Sequence, residues 1–453
     1  MKNSLFFPLL LILLVGCVKL PAPEINPPDN YLYGEVFSQE SLPHDIRWWR
    51  TFNDPCLNAL EERALRQSFT LAEAAARVEA ARQNLRSARA EYLPSISLNL
   101  EAEGERTPHE GITQSYSIAP TMSWEISLFG GLRSAKRAAE ASLQQSEWAF
   151  RGLILSLTSE IATTYFSLLE YEESLRIASE TQRLRAESAA LIDSMVRYGM
   201  KSRIDLDQSR SQLLTAEADC YKYQQLVTES QLSLSILLGE YPEASPDSLR
   251  NEGLFTDRLP EQVPVGLPSS LLLRRPDIMQ QLFSLDAAAA RVGTARAARL
   301  PGLNLTIEGG RLAKEFSQLM QGDSWMWSAV GSITQPLFGF GRLKAAERIA
   351  RENYFEALFA YEASLLEAVS EVEGALSAIL RHREQLSRQE ELVQLNREAL
   401  EKSRALYRSG LSDYLDLLDA ERTAYESQLV LTSQRAGHFI DYINLYKALG
   451  GGW

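Results

Sequence analysis

Residues able to do chemistry are few and scattered in this 453-residue chain. The four histidines, His44, His109, His382 and His438, stand far apart, and none has a second His or Cys at metal-ligand spacing. No metal site is therefore expected. Of the three cysteines, Cys56 and Cys220 are too few for a disulfide framework or a thiolate site, although one bridge between them stays open. There is no Gly-rich phosphate loop, nucleophile elbow or dinucleotide fingerprint. The carboxylates are more regular. Glu101, Glu103 and Glu105 alternate along one run, and Glu125 and Glu308 sit in similar runs. Paired acids can do acid–base work, but a spacing of two puts them on one face of a strand, where they solvate a wet wall or favour cations. No enzymatic activity is expected, and no cofactor. A net charge of -13 without a cluster of Lys and Arg also argues against a nucleic-acid partner.

The elements that position these carboxylates alternate strictly. After Pro94, Ile96, Leu98, Leu100 and Ala102 are apolar, while Ser95, Asn99, Glu101 and Glu103 are polar. Tyr116, Ile118, Met122, Trp124 and Ile126 alternate with Ser115, Ser117, Thr121, Ser123 and Glu125 in the same way. Leu303, Leu305 and Ile307 alternate with Asn304, Thr306 and Glu308, and Trp325 to Gln335 does so less cleanly. Long strands with one greasy and one polar face match a membrane barrel, with a half-buried sheet of a water-soluble domain as the alternative. Strands are expected at about 94–107, 115–128, 301–310 and 324–337.

A different period follows each Leu-Phe-Gly turn, at Phe129 and Phe338. Nearly free of Gly and without Pro, the chain then runs on to Gly199 and to Gly410. Helices are expected over 131–198 and 341–408, each about 100 Å long. A heptad seam runs Leu358, Leu365, Val372, Ile379, Leu386, Val393, Leu400, Tyr407, with a counterpart at Ile154, Ile161, Leu168, Leu175, Gln182, Ala189, Val196. Such a seam keeps one face on a partner helix throughout.

The layout is written twice. Ala88-Arg89-Ala90-Glu91-Tyr92-Leu93-Pro94 recurs as Ala295-Arg296-Ala297-Ala298-Arg299-Leu300-Pro301, 207 residues on, and the Leu-Phe-Gly and Tyr198-Gly199 segments recur in the same order. The repeats are placed at 60–240 and 269–449, joined by a Pro- and Gly-rich segment over 241–268. Before them, a short apolar run ending Leu14-Val15-Gly16-Cys17 reads as a lipoprotein signal over 1–16, with Cys17 the acylated residue and 17–59 an anchor segment. Val18 after the Cys points to the outer membrane.

Four strands cannot close on themselves, and in lipid an open sheet edge leaves backbone groups unsatisfied. Closure must come from other copies: three chains supply twelve strands, and twelve helices if each repeat gives one running down and one running up.

The lipobox, Trp48-Trp49 with Phe52 and Asp54-Pro55, the Ala88–Ile96 segment, Leu272-Leu273-Arg274-Arg275-Pro276-Asp277-Ile278, the paired Leu-Phe-Gly turns and the ending Leu-Tyr-Lys-Ala-Leu-Gly-Gly-Gly-Trp resemble the TolC-like outer-membrane factors, in particular the OprM/NodT lipoprotein branch. The resemblance implies a mainly α fold with a transmembrane β-barrel, four strands per protomer and twelve in the homotrimer, continued by a 12-helix periplasmic α-barrel. It implies a passive duct exporting drugs or other small molecules, docked on a periplasmic adaptor (membrane fusion protein) and an inner-membrane RND-type pump. Contact with the adaptor would fall on the tips, Arg197, Tyr198, Gly199 and Arg408, Ser409, Gly410. Positions matching the family's periplasmic gate are Leu415, Asp419 and Arg422. Their spacing shares one helix face, so the pair also reads as an ordinary surface i,i+3 contact. Glu101, Glu103, Glu125 and Glu308 would line the lumen. Alternatives are a duct for metal cations or secreted polypeptides, and a coiled-coil scaffold without a pore.

Overall fold

A computed structural model describes residues 20–23, 28–34, 47–107, 111–242 and 274–451. The expected signal segment, Cys17, His44, His109 and most of 241–268 lie outside the described residues. The described elements are α1 (Pro55–Gln67), α2 (Phe69–Ala90), β1 (Ser95–Thr107), β2 (Gly111–Ile126), α3 (Gly131–Arg197), α4 (Arg203–Leu238), α5 (Pro276–Ala297), β3 (Gly302–Ala313), β4 (Trp325–Thr334), α6 (Arg342–Arg408) and α7 (Tyr414–Ala448), with a 3-10 turn at Trp48–Phe52 before α1. Both long helices have 67 residues. β2 begins at Gly111, four residues ahead of its expected start, because Ile112 and Gln114 continue the pairing with β1 beyond the part where polar and apolar residues alternate cleanly.

The chain divides into two compact units. One holds residues 76–149 and 278–364 and contains the whole sheet. Its four strands lie in the order β1-β2-β3-β4, every neighbour antiparallel. Helix gives way to strand near Pro94 and Pro301, since the residue before a proline is pushed out of the α region. The returning strand then pins that junction in each repeat: the Trp124 indole N–H donates to the Tyr92 carbonyl at 3.0 Å, and Gln335 Nε2 donates to the Arg299 carbonyl at 3.0 Å. Tyr92 and Arg299 are equivalent positions of the duplication. Nearby, Glu347 is held by Arg299 and Arg351; partial burial would raise its pKa, but these two guanidinium partners outweigh that and lower it.

The other unit holds residues 27–75, 150–277 and 365–453. Trp48, Trp49 and Phe52 are buried there, Trp48 stacked on Tyr446 and Phe52 edge-on to Phe166, which stacks on Phe439 at 4.5 Å. Asp54 caps α1 by accepting from the Cys56 and Leu57 amides, and it also accepts from the Tyr165 hydroxyl. No disulfide joins Cys56 to Cys220. Within this unit α3 and α4 form one hairpin, and α6 and α7 another. The seam residues Ile161, Leu168, Leu365, Val372, Ile379 and Val393 are buried. Two further clusters join the hairpins, Ile177, Ala178 and Cys220 with Tyr425, and Ile192 and Leu206 with Tyr414 and Leu417.

Candidate functional site

The two hairpin tips are built alike. At the end of α3 the Gly199 amide donates to the Val196 carbonyl and the Met200 amide to that of Met195. At the end of α6, Gly410 and Leu411 repeat this with Tyr407 and Leu406. Both glycines have φ of +74°, a left-handed conformation that closes a helix with paired bonds and that a side chain would resist. Ser202 then opens α4 with a capping box shared with Asp205. The Lys201 ammonium lies 4.8 Å from the centre of the Tyr407 ring, so the tips touch. Arg197 pairs with Asp193, which also holds Arg210 across the hairpin. Arg408 is exposed, and the Ser409 hydroxyl donates to the Leu406 carbonyl. Tyr198 is 82% exposed, with Met200 and Leu411 also exposed. The tips thus present cationic and apolar side chains on capped helix ends.

Leu415, Asp419 and Arg422 share one face at the start of α7. Leu415 is exposed, and Arg422 meets Asp419 of its own helix at 2.9 Å, with both side chains more than half exposed. An exposed pair of this kind is worth a few tenths of a kcal/mol. The equivalent face of α4 carries Ile204, Gln208 and Ser211, with Ile204 exposed.

Strand register places Glu101, Glu103, Glu105, Glu125 and Glu308 on a single face of the sheet. Glu101 and Glu103 pair with Ser117 and Ser115, Glu125 with Asn304, and Glu308 with Thr121 on one side and Ser328 on the other. No Lys or Arg shares that face among the described strand residues. The opposite face carries Ile96, Leu98, Leu100, Ile307, Trp327 and Ile333, all exposed, Ile96 to 75% and Trp327 to 73%. Tyr116 and Trp325 stand toward one end of it and Trp124 near the other, Tyr116 and Trp124 being about 27 Å apart along β2 at strand spacing. An apolar band of that height edged by aromatics fits a lipid-facing surface.

The sequence profile of a family described as outer membrane efflux protein matches residues 60–240 and 267–451. The chain belongs to this family. Among similar outer membrane efflux proteins and their relatives, the pyoverdine export outer membrane protein OpmQ of Pseudomonas putida is 33% identical over 445 residues, 96% of this chain and 93% of that one. The probable outer membrane lipoprotein SilC of Salmonella typhimurium is 30% identical over 98% of this chain and 97% of its own length. A crystal structure of CusC, from work on its folding and transmembrane channel formation, superposes with a TM-score of 0.84 at 28% identity, covering 95% of this chain and 99% of that one. The efflux-protein chain is accordingly an outer-membrane channel with the TolC-like fold, four strands to the protomer.

Three groups of this efflux protein escape a reading of its sequence. Arg275 is buried and forks onto Asp277, pairs with Glu371 at 2.7 Å and donates to the Ala448 carbonyl. Burial works to lower its pKa, and the two carboxylates more than reverse this. A Cβ at Gly450 would come within 3.0 Å of Arg274 O and Arg275 Cα. The Arg-Pro-Asp run and the Gly-rich ending are therefore two sides of one contact, which neither segment announces alone. Glu61 is fully buried on α1, its carboxyl oxygens have no hydrogen-bond partner among the described residues, and burial pushes its pKa well up. His382 and His438, 56 positions apart in the sequence, meet between α6 and α7 with ring centres 5.6 Å apart. Asp441 lies 2.8 Å from His382 Nδ1. Only the antiparallel pairing of the two helices brings them together, so no spacing rule finds them.

Proposed function

We propose that three copies of this chain form one passive exit duct, their ribbons closing into a twelve-stranded barrel and their helices into a twelve-helix tube in the periplasm. The duct carries drugs or other small molecules handed over by an inner-membrane RND-type pump through a periplasmic adaptor. The observation that carries this reading is the four-stranded ribbon itself: one face is apolar and exposed, the other is acidic, and among the described residues β1 and β4 are both left with an unpaired edge. In lipid such edges cost several kcal/mol for each unsatisfied group, so a ribbon this wide must be completed by others. An acyl chain on Cys17 adds an anchor, and the tips around Gly199 and Gly410 meet the adaptor. Leu415, Asp419 and Arg422 narrow the periplasmic mouth, with the Asp and Arg of neighbouring copies exchanging partners on closure.

Five carboxylates per copy on the inward face favour cations, which also supports a second reading, export of metal cations. Planar-bilayer conductance tests both readings. Purified protein is expected to give small, cation-selective currents, and Asp419→Ala with Arg422→Ala to raise conductance severalfold. Absence of current from both proteins would refute the duct. An unchanged current in the variant would place the constriction elsewhere.

A further inference from the structure

His382, His438 and Asp441 take no part in the hairpin tips or in either face of the sheet. His438 and Asp441 are three residues apart on α7 and therefore share a face, and His382 reaches them from α6. One donor atom from each of the three lies within 4.8 Å of the others. Donors bound to one tetrahedral zinc ion stand about 3.3 Å apart, so closing the set needs only small side-chain rotations. Two imidazoles and a carboxylate make a donor set suited to borderline divalent ions, zinc first among them.

An ordinary packed pair of histidines would also place rings at this distance. What sets this pair apart is that His438 is only 6% exposed and its Nδ1 has no hydrogen-bond partner among the described residues. Leaving a buried polar atom unsatisfied is costly, and a bound ion would relieve it. Two further features fit. A Cβ built on Gly437 would come within 2.7 Å of His382 Cε1, so the absence of a side chain there is what lets the imidazole lie against α7. The side chains of His382 and Asp441 are 20% and 18% exposed, which gives an ion access from solvent. Arg383, the next residue after His382, opposes a cation electrostatically and is expected to weaken the site without abolishing it.

We propose that His382, His438 and Asp441 bind a divalent transition-metal ion, zinc or a close relative, that ties α6 to α7 as a fixed structural ion and not as cargo. The proposal does not depend on the duct reading.

The test uses the full chain, purified in detergent without a polyhistidine tag and stripped with a chelator. Zinc binding is measured by competition with a chromophoric chelator, and cobalt substitution is followed by its visible absorption. One zinc per protomer is expected, with a rise in thermal midpoint as zinc is added. His438→Gln and His382→Gln should each weaken binding by about 100-fold. Gly437→Ala should do the same by displacing the His382 ring, while its own apo thermal midpoint stays level or rises because alanine favours helix. That variant separates loss of the site from loss of the fold. Asp441→Asn, which keeps shape, serves as the second check if a histidine variant unfolds, with a loss of at least tenfold expected. The idea fails if the stripped protein takes up no zinc saturably below about 100 μM, a level too weak to tie two helices together. It fails equally if His438→Gln and Gly437→Ala bind as wild type does.

Discussion

At the scale of single residues, burial decides which charges matter. Arg275 is enclosed, yet its partners Asp277 and Glu371 remain half in solvent, so removing the guanidinium frees two carboxylates that water can still solvate. The loss is then mostly that of the bonds it makes, including the one to the Ala448 carbonyl. Arg275→Ala should cost about 2 kcal/mol, seen as a lower midpoint in denaturant at unchanged slope. Glu61 is the reverse case, a carboxyl with no compensating partner among the described residues. Its pKa is raised by burial in the folded state, so above the ordinary value of 4.5 the unfolded chain releases this proton while the folded chain holds it. Stability is fully present below that value and is lost as pH rises toward the folded pKa. Glu61→Gln should therefore be more stable than wild type, with the gap in thermal midpoint widening as pH rises above about 5. A gap that does not change with pH would mean that Glu61 ionises in place.

At the scale of elements, the strands and the two long helices were legible because periodicity is a local property. Alternation of Ile96, Leu98 and Leu100 with Ser95, Asn99 and Glu101 announces a strand whatever it packs on, and the seam from Leu358 to Val393 announces a helix with a partner. Gly199 and Gly410 were readable as tips for the same reason. Replacing both by alanine forces a side chain into a left-handed turn, and the hairpins should lose about 1–2 kcal/mol at each site, measured by unfolding of the helical signal. What local pattern could not reveal is which positions on two distant helices come level. His382 with His438, Arg275 with Ala448 and Tyr425 with Asp219 are all products of that alignment. The face shared by Leu415, Asp419 and Arg422 was visible in the spacing, whereas the partner Arg422 has in the single chain is its own Asp419.

At the scale of the whole molecule, a greasy sheet face exposed in one chain has to meet lipid. Leu98 pairs with Pro120, midway along β2 between the levels of Tyr116 and Trp124. Leu98→Arg should cost about 2–4 kcal/mol per copy at that depth and deplete the proposed trimer, followed by crosslinking in detergent, whereas Asn99→Arg on the acidic face should leave its amount unchanged. Equal loss in both would contradict the assignment of faces. The sheet has a further consequence. β1 and β4 are both borders, and with an even number of antiparallel strands the last strand of one copy runs opposite to the first of the next. Copies can therefore join head to tail without any change of hand or direction, and no single ribbon is at ease in lipid before its neighbours arrive. If three copies close the barrel as proposed, entry into the bilayer and recruitment of companions become one event, steep in protein concentration. A copy whose border is spoiled would drag sound ones down with it. For the proposed three-copy ring, a pool in which half the copies were defective would assemble roughly one ring in eight from sound copies alone.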